Sequence, residues 1–146
     1  MISRGGTFPG TGPIVIGPPI VTPDIVDVDG TDKDDVLNGD ENHNLMRGYG
    51  GNDRMFGFSG DDLLIGGSGD DYIAYPGGGE NRLYGGDGND QVHSADGDDY
   101  VSGGRGDDQL DGYLGRDVGH GGAGTDTCGR FDWSFSCELP LFPDIP

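Results

Sequence analysis

The stretch GGDGNDQVH, residues 85–93, decides how this chain is read. GGSGDDYIA at residues 66–74 repeats its pattern, and the same nine-residue beat runs from Gly30 to Gly129. Eleven copies can be laid end to end with one extra residue, Tyr75. A fixed period of this kind marks a repeat architecture, in which each unit packs only on its neighbours.

The nine positions differ in character. Positions 1 and 4 are Gly in nine of eleven copies, with Pro76 and Ser94 as exceptions at position 1 and Lys33 and Asn42 at position 4. Position 6 reads Asp35, Asn44, Asp53, Asp62, Asp71, Asn81, Asp90, Asp99, Asp108, Asp117 and Asp126. Position 8 is apolar from Leu37 to Leu110, then decays to Gly119 and Cys128. Each unit therefore reads as a six-residue glycine turn followed by a three-residue strand. Alternation along the strand sends position 8 inward and positions 7 and 9 outward. Two units make one coil of 18 residues, so alternate units stack about 4.8 Å apart as two short parallel sheets.

Composition sharpens this. The 146 residues include 32 Gly, with 27 acidic side chains against 8 basic ones and a formal charge of −19. Of the acids 24 are Asp, the residue suited to tight turns. Without its period, such a chain would be assigned to disorder. With it, the acidity calls for a cationic partner. Nucleic acid is disfavoured, because phosphate binding needs clustered Lys and Arg and this chain has one Lys. No run of 18 apolar residues exists to span a membrane. The N-terminus shows no basic flank leading into an apolar stretch, and residues 1–23, rich in Pro and Gly, read as a linker or tail.

The pattern resembles the RTX, or hemolysin-type, calcium-binding nonapeptide repeat. That resemblance implies an all-β, right-handed parallel β-roll, a form of β-helix or solenoid, over residues 24–129, with residues 130–146 as a C-terminal cap and tail. It also implies Ca²⁺ held between stacked turns by backbone carbonyls and by the position-6 side chains of units n and n+2. The turn glycines that would present those carbonyls are Gly48, Gly51, Gly66, Gly69, Gly85, Gly88, Gly103, Gly106, Gly121 and Gly124. Calcium takes six to eight oxygen ligands and accepts carbonyls readily, whereas softer metals would want more His or Cys than the turns contain. Eleven turns paired in this way give at most nine inter-turn sites, and nine divalent cations would nearly cancel the −19.

The two edges are unequal. Odd-numbered units carry Asp35, Asp53, Asp71, Asp90, Asp108 and Asp126, all carboxylates. Even-numbered units carry Asn44, Asp62, Asn81, Asp99 and Asp117, with Tyr75 inserted just before the turn that ends at Asn81. The expectation is a strong odd edge and a weaker, partly unfilled even edge near Asn81.

Cys137 follows Cys128 by nine residues, which puts it on the inward position of a notional twelfth strand. The spacing permits a disulfide across the core, and two buried free thiols are the alternative. Phe131, Trp133 and Phe135 then replace the glycine pattern and are expected to cap the open end. The outward face of the even sheet would show Leu45, Leu63, Ile65, Tyr84 and Tyr100 beside Arg47 and Arg82, a candidate surface for a partner domain or a second copy. GHGGAG at residues 119–124 matches a dinucleotide fingerprint only by letters, since it lies in the repeat register and not in a strand–turn–helix. An EF-hand reading of the Asp27 region fails because its twelfth residue is Asn38 rather than Glu.

The leading expectation is a calcium-binding structural module, not an enzyme, from a secreted protein that folds on meeting calcium outside the cell. The resemblance implies type I export, with the ending LPLFPDIP as a loose candidate for the export signal. Two alternatives stand beside it. One is the accessory tail of a larger secreted protease, lipase or epimerase. The other is an adhesive or ice-binding surface, disfavoured because position 3 forms no regular outward array.

Overall fold

The computed structural model describes residues 25–75 and 77–138. The Pro/Gly-rich segment 1–23 and the ending LPLFPDIP lie outside the described residues. Among the described residues all regular structure is strand, and no helix is long and apolar enough to cross a membrane.

Two parallel sheets form a β-solenoid of about six turns. The first has six three-residue strands, β2 (Val36–Asn38), β4 (Arg54–Phe56), β6 (Tyr72–Ala74), β8 (Gln91–His93), β10 (Gln109–Asp111) and β12 (Thr127–Gly129). The second has seven, β1 (Val26–Asp29), β3 (Asn44–Gly50), β5 (Leu63–Ser68), β7 (Arg82–Asp87), β9 (Tyr100–Arg105), β11 (Val118–Ala123) and β13 (Trp133–Phe135). The strands of odd units build the first sheet. Those of even units build the second, flanked by β1 and β13. The register advances one coil at a time, pairing Leu37 with Met55, Met55 with Ile73, and Leu110 with Cys128.

The core is a single file of position-8 side chains: Leu37, Met46, Met55, Leu64, Ile73, Leu83, Val92, Val101, Leu110 and Cys128. One inward residue per nine leaves little apolar area to hold a long chain.

The two turn edges are built differently. Most strands of the second sheet run on into the following odd turn, which extends the ladder to pairs such as Gly67 with Gly86 and Gly86 with Gly104. Among the described residues the even turns form isolated bridges, Gly78–Asp96 and Asp96–Leu114, rather than a continuous ladder, with backbone bonds such as that from Gly97 N–H to Leu114 O. Glycine explains the continuity of the odd edge. Gly86 sits at φ 130°, and a Cβ there would collide with the carbonyl oxygen of Gly67 in the coil below.

Three expectations are corrected. Tyr75 is not the extra residue. Its N–H donates to His93 O at 3.0 Å, just as that of Ser94 donates to Asp111 O, so Tyr75 occupies position 1 of its unit. Gly78 pairs with Asp96 at position 3, so the insertion lies between Tyr75 and Gly78. Second, the last strand forms early, with Ser134 rather than Cys137 opposite Gly119. Cys137 instead reaches the edge of β12, where Glu138 bridges Thr127, and its disulfide to Cys128 (Cα–Cα 5.7 Å) joins neighbouring layers rather than spanning the core. Third, only Phe131 caps the core. Its ring fills the space left by Gly119, while Trp133 and Phe135 alternate outward and are 56% exposed.

Candidate metal centre

Along the odd edge, each position-6 carboxylate from Asp53 onward uses one oxygen to fasten the coil before it. The N–H of Asp35 donates to Asp53 Oδ1, that of Asp53 to Asp71 Oδ1, that of Asp71 to Asp90 Oδ1 and that of Asp90 to Asp108 Oδ1, all at 2.8 Å. Asp108 continues the series to Asp126 at 3.0 Å. The even edge does the same from Asn44 to Asp62, Asp62 to Asn81, Asn81 to Asp99 and Asp99 to Asp117.

The second oxygen is the informative one. Oδ2 of Asp53, Asp62, Asp71, Asp90, Asp99, Asp108, Asp117 and Asp126 is buried and receives no hydrogen bond. A buried carboxylate oxygen without a donor is costly, and the five of the odd edge, Asp53, Asp71, Asp90, Asp108 and Asp126, recur in register and call for a common partner. Burial pushes several carboxyls of this set up: Asp71 and Asp117 to about 6, and Asp90, which also has Asp71 and Asp108 for neighbours, to about 7. Asp53, Asp62, Asp99 and Asp108 move in the same direction, chiefly from burial.

The position-1 glycines show where that partner would lie. A Cβ on Gly85 would collide with Asp90 Oδ2 and come within 2.7 Å of Gly103 O. On Gly66 it would meet Asp71 Oδ2 and Gly85 O, and on Gly103 it would meet Asp108 Oδ2 and Gly121 O. Gly48 faces Asp53 Oδ2 and Gly66 O in the same way. A carboxylate oxygen and a carbonyl oxygen of the next coil thus converge beside each of these glycines. The position-4 glycines Gly51, Gly69, Gly88, Gly106 and Gly124 adopt φ between 97° and 145°, and from Gly69 onward each stacks directly on the carbonyl of its predecessor. Among the described residues no three His, Cys, Asp or Glu side chains cluster to hold a metal. The donor set is hard oxygen, mostly carbonyl, with one carboxylate per turn. It fits Ca²⁺ and disfavours zinc or copper.

Two elements escaped the sequence reading. At the end of the odd edge, Glu138 Oε2 accepts the N–H of Asp126, and a Cβ on Gly121 would meet Ser136 O and lie 2.5 Å from Asp126 Oδ2. Glu138 thereby stands in for the missing next Asp. Its spacing of twelve residues breaks the beat, so periodicity could not find it. Position 5 forms a second, outer ladder: Asn52 N–H to Asp34 Oδ1, Asp70 to Asn52, Asn89 to Asp70, Asp107 to Asn89, and Thr125 to Asp107, each 2.8 Å. The recurrence of Asp and Asn at position 5 was the available signal.

A family model describing the RTX calcium-binding nonapeptide repeat matches four stretches, residues 29–63, 38–73, 77–101 and 93–128. No curated protein and no solved structure matches the chain. The repeat register, the parallel solenoid, the rows of buried carboxylates and the family match lead to one assignment: the chain belongs to the RTX calcium-binding nonapeptide-repeat family.

Proposed function

We propose that this chain is a non-catalytic module of a secreted protein that folds on binding calcium outside the cell. The observation that carries the reading is the row of five buried carboxylate oxygens without donors along the odd edge, set in a chain of formal charge −19. The roll stacks carboxylates at every coil, and each sheet sets only one aliphatic side chain per coil beneath them. Repulsion of this kind favours the unfolded chain until cations enter. Any ion that binds only the folded state stabilises it by RT ln(1 + [L]/Kd), about 2.7 kcal/mol per site at 100-fold over Kd. Extracellular calcium modules work at 10⁻⁴–10⁻³ M, so the change in calcium on leaving a cell would act as the folding signal. Family membership supports type I export as the route.

The outward face of the second sheet, with half-buried Leu45, Leu63, Ile65, Tyr84 and Tyr100, is the surface on which a neighbouring domain or second copy would pack in this reading. Tyr84 and Tyr100 already pack against each other there as a tilted pair, with ring centroids 5.7 Å apart.

Circular dichroism during a calcium titration tests the proposal. The expected result is a chain without β signal in chelator that gains it cooperatively with calcium and not with equal concentrations of magnesium. A chain fully folded in chelator overturns the reading. Sedimentation in saturating calcium, with Tyr84→Ser as the comparison, tests the contact surface for self-association.

A further inference from the structure

The even edge carries a feature that the repeat does not require: in the layers of Asp62, Asn81, Asp99 and Asp117 a side chain of this protein lies where the odd edge leaves its oxygens unbridged. At position 1 the odd units all have Gly, so nothing projects between the carboxylate and the carbonyl of the next coil. At the same position the even units have Gly39, Gly57, Tyr75, Ser94 and Gly112.

Ser94 is buried, and its hydroxyl donates to Gly112 O at 2.6 Å. Gly112 O is the counterpart of the carbonyls that face Asp71 and Asp90 on the odd edge. Tyr75 is 3% exposed, and its hydroxyl donates to Gly60 O at 2.7 Å. A Cβ on Gly57 would lie 2.6 Å from both Asp62 Oδ2 and Tyr75 Cε2, so the Tyr75 ring closes the space between Gly57 and Asp62.

Asn44 and Asn81 act through their amides. Because Asn81 Oδ1 accepts the N–H of Asp62, its Nδ2 faces the other way and donates to Gly79 O at 3.2 Å. Asn44 Nδ2 likewise donates to Asn42 O. Both acceptors are position-4 carbonyls. Phe131 closes the final layer, where a Cβ on Gly112 would meet its ring at 2.8 Å.

We propose that the even edge is closed to calcium by the chain's own donors and rings, so that calcium binds only along the odd edge, in the layers from Asp35–Asp53 to Asp126–Glu138. The inference rests on the calcium-binding reading above. It divides the roll into a metal-bound edge and a metal-free edge held by the Ser94 and Tyr75 hydroxyls and the Asn44 and Asn81 amides. An N–H or O–H donor satisfies an orphaned carbonyl without a cation. Asp62, Asp99 and Asp117 each keep an Oδ2 without a hydrogen bond, but Tyr75, Ser94 and Phe131 take the space beside them that the odd edge leaves open.

The test is the number of calcium ions bound per chain at saturation, by equilibrium dialysis against ⁴⁵Ca²⁺ and by calorimetry, for the full chain and three variants. The expected count is five or six for the parent. Asp99→Asn leaves the count unchanged, whereas Asp71→Asn lowers it by one or two. Ser94→Gly, which recreates the odd-edge geometry beside Asp99, raises it by one. A parent count of eight or nine, or loss of ions in Asp99→Asn, overturns the inference while leaving the calcium reading intact. No calcium bound by the parent overturns both. Asp99→Asn keeps the test decisive should Ser94→Gly fail to fold, because Asn already serves at the same position in Asn44 and Asn81.

Discussion

The backbone N–H of Asp71 donates to Oδ1 of Asp90 at 2.8 Å, and the other oxygen of Asp90 is buried without a donor. One carboxylate therefore does two jobs. It staples consecutive coils through the backbone, and it presents charge toward the turn. The first job needs only an oxygen acceptor, while the second needs a cation.

Asp90→Asn separates the two. The amide oxygen keeps the bond from Asp71, and the amide nitrogen faces the position-4 carbonyl as it does in Asn81. In chelator the variant should gain about 1–3 kcal/mol of stability, the cost of a buried polar group left unsatisfied. In saturating calcium it should lose stability relative to the parent as sites disappear. Thermal melts with and without calcium check for these opposite signs.

Gly85→Ala should damage the roll without backbone strain, because the Ala Cβ enters the space between Asp90 Oδ2 and Gly103 O. Overpacking of this kind costs about 1–3 kcal/mol, and lost calcium affinity adds to it. Gly78→Ala is the control, since its nearest atom to a new Cβ is Asp96 O at 3.1 Å and no carboxylate is involved. Calcium midpoints from circular dichroism should shift strongly for the first and little for the second.

Acid should substitute partly for calcium. Asp90 titrates near 7 and Asp71 and Asp117 near 6 in the roll, against an ordinary value of 3.8. Burial is the main cause, so the folded state binds these protons more tightly than the unfolded chain. Their contribution is fully present below about pH 4 and is lost as pH rises through 6 to 7. In chelator, β signal should therefore be greater at pH 5 than at pH 8. An unchanged spectrum across that range would contradict the assignment of burial as the cause.

Reduction of Cys128–Cys137 should loosen the C-terminal layer. The bond holds Glu138 beside Asp126, whose N–H it accepts, and ties the chain to β12. A short loop closed by a disulfide contributes roughly 2–3 kcal/mol. Hydrogen exchange should quicken over residues 126–138 after reduction while the layers around Ile73 and Val92 stay protected.

Several features were legible because they repeat. The period of nine placed position 8 inward, and Leu37 through Leu110 form the core file. The same period put the position-6 carboxylates of odd units in one row and predicted stacked coils two units apart, as the parallel register has it. Repeats allow this because each unit meets the same neighbours, so a local rule read once applies to every coil. The excess of Asp and Gly likewise pointed to a cation before any geometry was known.

What tertiary structure decided lies where the beat is broken. Tyr75 looked like an insertion, yet its backbone bond to His93 places it at position 1, because hydrogen-bond register and not residue count fixes the frame. Glu138 joins the odd edge only because β13 forms three residues early and the chain turns back along β12. Ser94 reads as a simple exception to glycine until its hydroxyl is seen on Gly112 O. In each case the contact is between residues distant in sequence, and the twelve-residue separation of Asp126 and Glu138 also breaks the period. Periodicity determines what every unit shares. Only packing decides which side chain takes up the space that a glycine leaves open in the other units.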